Sequence, residues 1–218
     1  MCVLRRFGVT ILSSRAEQKS RTRRALMDAA LAQLSADRSF GSLSLREVTR
    51  HAGLAPTSFY RHFTDLDELG MTLVDEGGVA LRQLMRQARR RIVRNGDDGS
   101  AIATSIDTFM EYLQVNANLF RLMLRERTGL SEHFRTAIKA EIDHVATELA
   151  VDLRRFAAAE GRRLAEPKLV AEAMVALVFS QGAEALDASA EIQEQLKVKL
   201  KIELRMVLLG AQKMGAKG

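Results

Sequence analysis

Apolar positions recur at three- and four-residue spacing along almost the whole chain, the period of helices that bury one face, and β-branched alternation is scarce. Leu26, Ala30 and Leu34 set the stripe of a first helix over about residues 15–36, and residues 39–41 read as a turn. Leu45, Val48 and Ala52 fall on one side of a short second helix. Ser44 and Glu47 open it as a capping box, each side chain satisfying a backbone N–H that the first turn leaves without a partner. Gly53 supplies the left-handed conformation that ends such a helix, and Pro56 the preset dihedral that starts a third. Asp65 and Glu68 repeat the capping pattern before a long fourth helix from about Leu66. Further helices are expected at about 101–115, 117–127, 131–160, 166–187 and 190–213, parted by Asn116, Thr128-Gly129 and Gly161, with Pro167 at a helix start. Residues 95–100 form the clearest linker, and residues 1–14, without periodicity, read as a flexible arm.

The expected fold is all-α with about nine helices. A three-helix helix-turn-helix head over 15–63 precedes a larger helical domain over 64–218, for which the family resemblance given below implies ligand binding and dimerisation. Within helix 4, Gly77-Gly78 reads either as a flexure or as a site of close packing, since each interior glycine costs about 1 kcal/mol relative to alanine. The last two helices differ from the rest. Residues 170–188 are apolar over most of the circumference, and Ile192, Leu196, Leu200, Leu204 and Leu208 repeat every four positions. With Phe179, Gly182, Ala183 and Leu186, these would build a four-helix interface between two subunits, the other reading being that they fill the core of one.

Composition adds bounds. With 47% hydrophobic and 28% charged residues the chain is of ordinary globular make-up. A single cysteine, Cys2, excludes an internal disulfide framework and a thiolate metal cluster, and suits a reducing cytoplasm. No apolar run reaches the roughly 18–20 residues of a membrane span, and residues 9–12 are too short for a signal sequence. Charge is more telling once divided. Residues 1–62 hold 11 Lys/Arg against 4 Asp/Glu, a net +7, whereas the remainder holds 22 against 23. All the excess positive charge therefore accompanies the helix-turn-helix, where a polyanion would bind.

On that geometry, Thr57 and Ser58 are candidates to face base edges, with Arg46 reaching a base or phosphate, because small side chains let a helix approach the groove floor. Tyr60, His62 and Thr22 would hold phosphates, and Arg15 and Lys19 would reach the groove or backbone from the arm side. Ser44, Pro56 and Arg61 complete the DNA-binding set. Any one of these arginines reads equally as a solvated side chain, and Phe59 and Phe63 read as core. Enzymatic chemistry finds little footing. Glu141-x-x-His144 has the spacing of a carboxylate-bridged metal site, but that site needs a second copy. P-loop, nucleophile-elbow and dinucleotide fingerprints are lacking, so neither metal nor cofactor is expected.

Val48, Ala52-Gly53, Phe59-Tyr60-Arg61-His62-Phe63 and Asp67-Glu68-Leu69 together resemble the head of TetR-type transcriptional regulators. More narrowly, residues 42–48, 55–63, 67–70 and 120–127 are similar to the repressors of unsaturated fatty acid biosynthesis within that family. The resemblance implies a homodimer in the bacterial cytoplasm that binds a double-stranded DNA palindrome and is tuned by long-chain acyl-CoA or acyl carrier protein, without membrane attachment. It points to Phe109, Met110, Tyr112, Leu113, Phe120, Met123, Phe134, Phe156, Met174 and Phe179 as a tunnel for an acyl chain, with plain core as the other reading. Arg121, Arg125 and Arg127 would take the phosphates of the head group, or Arg125 would pair with an acid such as Glu126. Two positions depart from the family pattern: Leu66 stands where a phosphate-binding lysine is frequent, and Ala55 where a hydroxyl often caps the recognition helix. Two other functions fit the same residues, a constitutive DNA-binding dimer with a filled core and a helical carrier of lipid or acyl groups.

Overall fold

Ser44 and Glu47 do what their spacing predicts. The Ser44 hydroxyl accepts the Glu47 N–H at 3.3 Å, and the Glu47 carboxylate accepts the Ser44 N–H at 3.0 Å. The computed structural model describes residues 6–35, 37–92, 98–127 and 131–216. Among these, every regular element is helical: α1 (Arg6–Ala32), a 3-10 turn (Phe40–Ser42), α2 (Leu45–His51), α3 (Pro56–Phe59), α4 (Leu66–Ile92), α5 (Asp98–Val115), α6 (Ala117–Glu126), α7 (Glu132–Ala159), α8 (Pro167–Ala185) and α9 (Ala190–Gly215).

Three boundaries differ from expectation. Helix α1 begins at Arg6, so residues 6–14, expected as arm, are helical; backbone hydrogen bonds form without an apolar stripe, which reports burial and not helicity. Residues 1–5 of that arm lie outside the described residues, as do 95–97 of the expected linker and the Thr128-Gly129 separator, whereas residues 98–100 of the linker open α5. Helix α3 is a single turn, and Tyr60 to His62 continue it only through tightened bonds such as His62 N–H to Phe59 C=O at 2.9 Å. Gly53 sits at φ +68°, and its N–H and that of Leu54 bond back to the carbonyls of Arg50 and Thr49, the paired closure that needs a left-handed residue after the helix.

The chain forms two compact units that meet within α4, one ending at Leu73 and the other starting at Val74. In the first, α1 packs on α2 and α2 on α3. Leu26, Met27, Ala30, Val48, Phe59, Phe63 and Leu69 are its buried core. Phe59 and Phe63 stack with ring centroids 5.6 Å apart. At the start of α4, Asp65 accepts the Glu68 N–H at 2.8 Å while Glu68 reaches back to the Thr64 N–H at 2.6 Å.

In the second unit α7 packs on α8, α8 on α9 and α5 on α9, with α6 against α7 and α8. Ser131 caps α7 and Ser189 caps α9. Gly77 and Gly78 are both buried. A methyl group on Gly77 would overlap the Leu119 side chain, and one on Gly78 the Glu141 carboxylate. Close packing thus explains both glycines. Glu141, buried to 5% exposure, pairs with Arg82 and sits 3.4 Å from His144 Nδ1, so the Glu141-x-x-His144 spacing serves an ion-pair network that includes Glu148 and Arg86. No group able to hold a metal occurs among the described residues. No described helix is long and apolar enough to cross a membrane.

Candidate nucleic-acid interface and effector cavity

In the first unit, burial of Phe59 and Phe63 fixes which side of the α3 turn faces outward. Thr57 and Arg61 are exposed, Ser58 is half-buried and Tyr60 is 65% exposed, an unusual placement for an aromatic ring without an outside partner. Pro56 is exposed at the first helical position, preceded by Ala55 without a side-chain cap, as the sequence predicts. Arg46 on α2 is exposed, and so are Arg15 and Lys19 on α1. Half-buried Thr22 donates its hydroxyl to the Gln18 carbonyl at 2.9 Å, which leaves oxygen lone pairs but no free donor for a phosphate. Ser44 is occupied as well. Its hydroxyl donates to Glu47 at 2.8 Å, and Arg38 closes on Glu47 at 2.9 Å, so Ser44 acts first as a cap. The bonds from Ser44 hold the Glu47 carboxyl below its ordinary range, assisted by Arg38.

His62 stands at the focus of this surface. Its Nδ1 is buried without a partner. Burial, then the charges of Lys19, Arg23 and Arg61, push the imidazole below its ordinary pKa. The same guanidinium of Arg23 lies 4.6 Å over the Phe63 ring and bonds Thr72 at 3.5 Å, which holds it in place. Lys19, Arg23 and Arg61 thus set their positive charges around the His62 imidazole beside the exposed end of α3. The sequence reading missed Arg23, whose only signal is its place in the Arg21-Thr22-Arg23-Arg24 run.

In the second unit, helices α4, α5, α7, α8 and α9 enclose a cavity of about 120 Å³. Its wall is hydrocarbon from Leu81 and Met85 of α4, Ile102 and Ile106 of α5, Val145, Leu149 and Leu153 of α7, and Val175 and Val178 of α8, among others. Of the predicted ligand residues, Phe109, Phe156, Met174 and Phe179 line it. Met110, Leu113, Phe120, Met123 and Phe134 are buried but not in its lining, and they pack as core. Tyr112 packs edge-on to Phe120 at 5.8 Å and donates its hydroxyl to the Gly77 carbonyl at 3.4 Å; burial raises its pKa. Among the described residues, the polar groups at the cavity are Ser105, Glu160 and Gln212, and none of the lining side chains is cationic. Arg121 is engaged elsewhere, with Asp187 at 2.6 Å and Asn118 at 2.7 Å, while Arg127 is exposed and the Arg125 side chain lies outside the described residues.

The dimerisation set needs correction. Leu196, Leu200 and Leu204 are buried within the single protomer, and Leu204 and Leu208 line the cavity, so the four-residue repeat of α9 faces inward. Phe179 and Gly182 are buried too, and a methyl group on Gly182 would stand 3.0 Å from Leu113 and 3.2 Å from Phe109, which marks a close approach of α8 to α5. Ala183 and Ile192 remain exposed, and Leu186 is half-buried. The inward leucines pack α9 against α5 and α8, whereas the outer face of α9 keeps a second, shorter apolar stripe that the sequence reading did not single out.

Residues 26–69 match the family described as bacterial regulatory proteins, tetR family, and residues 99–207 match the one described as tetracyclin repressor-like, C-terminal domain. Similar solved structures include a transcriptional regulator from Rhodococcus sp. Rha1, with TM-score 0.66 at 22% identity, covering 89% of this chain and 97% of that one. The reduced form of Escherichia coli NemR gives 0.65 at 20%, covering 86% and 97%. The fatty acid degradation regulator FadR from Bacillus halodurans gives 0.66 at 13%, covering 86% and 94%. At these identities the likeness is one of fold.

Proposed function

The chain belongs to the TetR family of DNA-binding transcriptional regulators, which act as dimers with small-molecule effectors, and from that premise we propose a repressor of fatty acid biosynthesis genes tuned by a long-chain acyl thioester. On this reading Thr57 and Ser58 meet base edges, and Tyr60, Arg61, Lys19 and His62 meet phosphates, with Arg46 and Arg15 flanking. The observation that carries the effector half is the cavity. Leu81 and Met85 in its wall belong to α4, the helix that starts three residues after Phe63, so an occupant touches the helix that continues directly from the recognition turn. Occupancy that shifts α4 alters the spacing of the two recognition helices, which successive major grooves set at roughly 34–36 Å.

The hydrocarbon wall suits an acyl chain, and the residues shared with the unsaturated fatty acid repressors support it. Size favours a second reading. About 120 Å³ is close to the roughly 150 Å³ cavity known to hold benzene, and below the roughly 300–1,000 Å³ of ordinary ligand sites. The described lining is almost wholly hydrocarbon, so the cavity as it stands suits a compact apolar effector, and an acyl chain enters only by parting the helices.

One experiment addresses both halves. A palindrome selected from random DNA is titrated with the protein at several salt concentrations, against scrambled DNA, with saturated acyl-CoA, unsaturated acyl-CoA or a small aromatic hydrocarbon present. The proposal expects tighter binding to the palindrome, a loss of about tenfold or more in that preference for Thr57→Ala with Ser58→Ala, and a response to acyl-CoA. A response to the hydrocarbon alone selects the second reading. Equal affinity for both DNAs sinks the DNA reading.

A further inference from the structure

Where α4 faces α7, a charged row runs along the edge of an apolar one. Leu81 and Met85 of α4 line the cavity with Val145 and Leu149 of α7. Next to each of these in sequence, and outside the lining, stand Arg82 and Arg86 on α4 and His144 and Glu148 on α7. Successive helical residues point about 100° apart, so the charges border the hydrocarbon wall on both helices. The two rows are joined across the gap. Arg82, whose side chain is 14% exposed, pairs with buried Glu141, while Glu148 lies 3.2 Å from Arg86 and 3.7 Å from Arg82. Gly78, one turn before Arg82, has no side chain where the Glu141 carboxylate lies, and so provides its seat.

Exposed ion pairs contribute little because water competes for both partners. A desolvated pair lacks that competitor, and parting it strands two charges in an apolar surround. Among the described residues the backbone of α4 comes less close to any helix of this unit than α7, α8 and α9 come to one another, so side chains carry its hold on α7.

We infer that Arg82 and Glu141, seated on Gly78, determine the size of effector the cavity admits, by holding α4 to α7 along its edge. This deepens the effector reading above and rests on the cavity being the effector site. A compact hydrocarbon occupies the about 120 Å³ present and leaves the pair closed. A long acyl chain needs more room, and moving Leu81 and Met85 away from Val145 and Leu149 draws Arg82 off Glu141. The pair thus selects between the two classes of occupant, against the longer one.

The test compares palmitoyl-CoA with benzene by calorimetric titration of the full chain. Arg82→Gln with Glu141→Gln keeps side-chain length and a hydrogen bond, and changing both partners leaves neither charge stranded. This double variant should bind palmitoyl-CoA about tenfold or more tighter than the parent. Its affinity for benzene should stay within about twofold, because that occupant leaves the pair closed. Gly78→Ala, whose methyl group displaces the carboxylate from its seat, should move the ratio of the two affinities in the same direction by a few-fold, and serves should the double variant fail to fold. Equal tightening of both probes would mean a general loosening of the unit, and an unchanged ratio would mean a purely structural pair; either overturns the size limit while the cavity remains an effector site. If neither probe binds the parent or the variants, the effector reading falls with it.

Discussion

The recognition unit and the cavity unit are held in place by interactions of very different reach. Around α2 and α3 the positioning bonds join neighbours: Ser44 to Glu47, Gly53 to Arg50, Thr64 to Glu68. In the second unit they join distant segments, Arg82 to Glu141 across 59 positions, Arg121 to Asp187 across 66, and Lys201 to Asp107 across 94. A site built from short-range bonds presents its side chains whenever the local chain folds. One built from long-range bonds exists only as far as several helices agree on their packing, which also makes it the part an occupant can shift.

The largest expected effect breaks the first region alone. Phe59→Ala removes a fully buried ring from a small core and should cost roughly 3–5 kcal/mol. The chain has two tyrosines, Tyr60 in the first unit and Tyr112 in the second. In a Tyr112→Phe background, the urea transition reported by Tyr60 should move to lower denaturant, while the helical signal of the second unit holds its midpoint. Both transitions moving together would show that the two regions are not separable in this way.

The next prediction turns on sign. If Gly78 served only as a flexure, alanine there would stabilise the helix by up to about 1 kcal/mol. Because the added methyl overlaps the Glu141 carboxylate, Gly78→Ala should instead destabilise by roughly 1–3 kcal/mol in urea unfolding, and adding Glu141→Ala should recover part of that loss by removing the overlapped group. A stabilised Gly78→Ala protein would return the flexure reading.

The smallest effect is a pH dependence at His62. Its pKa is lowered in the free protein, so the unfolded chain binds more protons as pH falls below 6.5. Stability from this group is complete above that value and declines slightly as pH falls toward the lowered pKa. A DNA phosphate acts in the opposite direction by favouring the imidazolium. Palindrome affinity should therefore rise a few-fold from pH 7.5 to pH 6, and His62→Gln should flatten the profile. A wild-type profile already flat over that range would remove His62 from the phosphate contacts.

Sequence reading succeeded where the determinants are local. The capping box at Ser44, the left-handed Gly53, Pro56 at a helix start and the missing cap at Ala55 were all foreseen, and the five helices after α4 fall within a few residues of their expected ends. It faltered where a residue has two equally apolar places to go. Period four along α9 revealed a stripe but not whether its partner was α5, α8 or another subunit; it is the packing on α5 and α8 that turns the leucines inward. Nor could aromatic content separate Phe109 and Phe179, which line a cavity, from Phe120 and Phe134, which fill core: all four are buried, and only the placement of surrounding helices leaves space beside the first two.

By itself, then, the sequence determined an all-helical chain, a helix-turn-helix with the excess positive charge around it, and the ends of most helices, because capping, turn geometry and charge depend on residues a few positions apart. Only the tertiary structure decided that Gly77-Gly78 are seats for Leu119 and Glu141, that Phe109 and Phe179 border a cavity, and that α9 keeps Val198, Ile202 and Met206 outside. Those outcomes depend on which helix meets which, a competition among packings of similar hydrophobic gain that steric fit resolves.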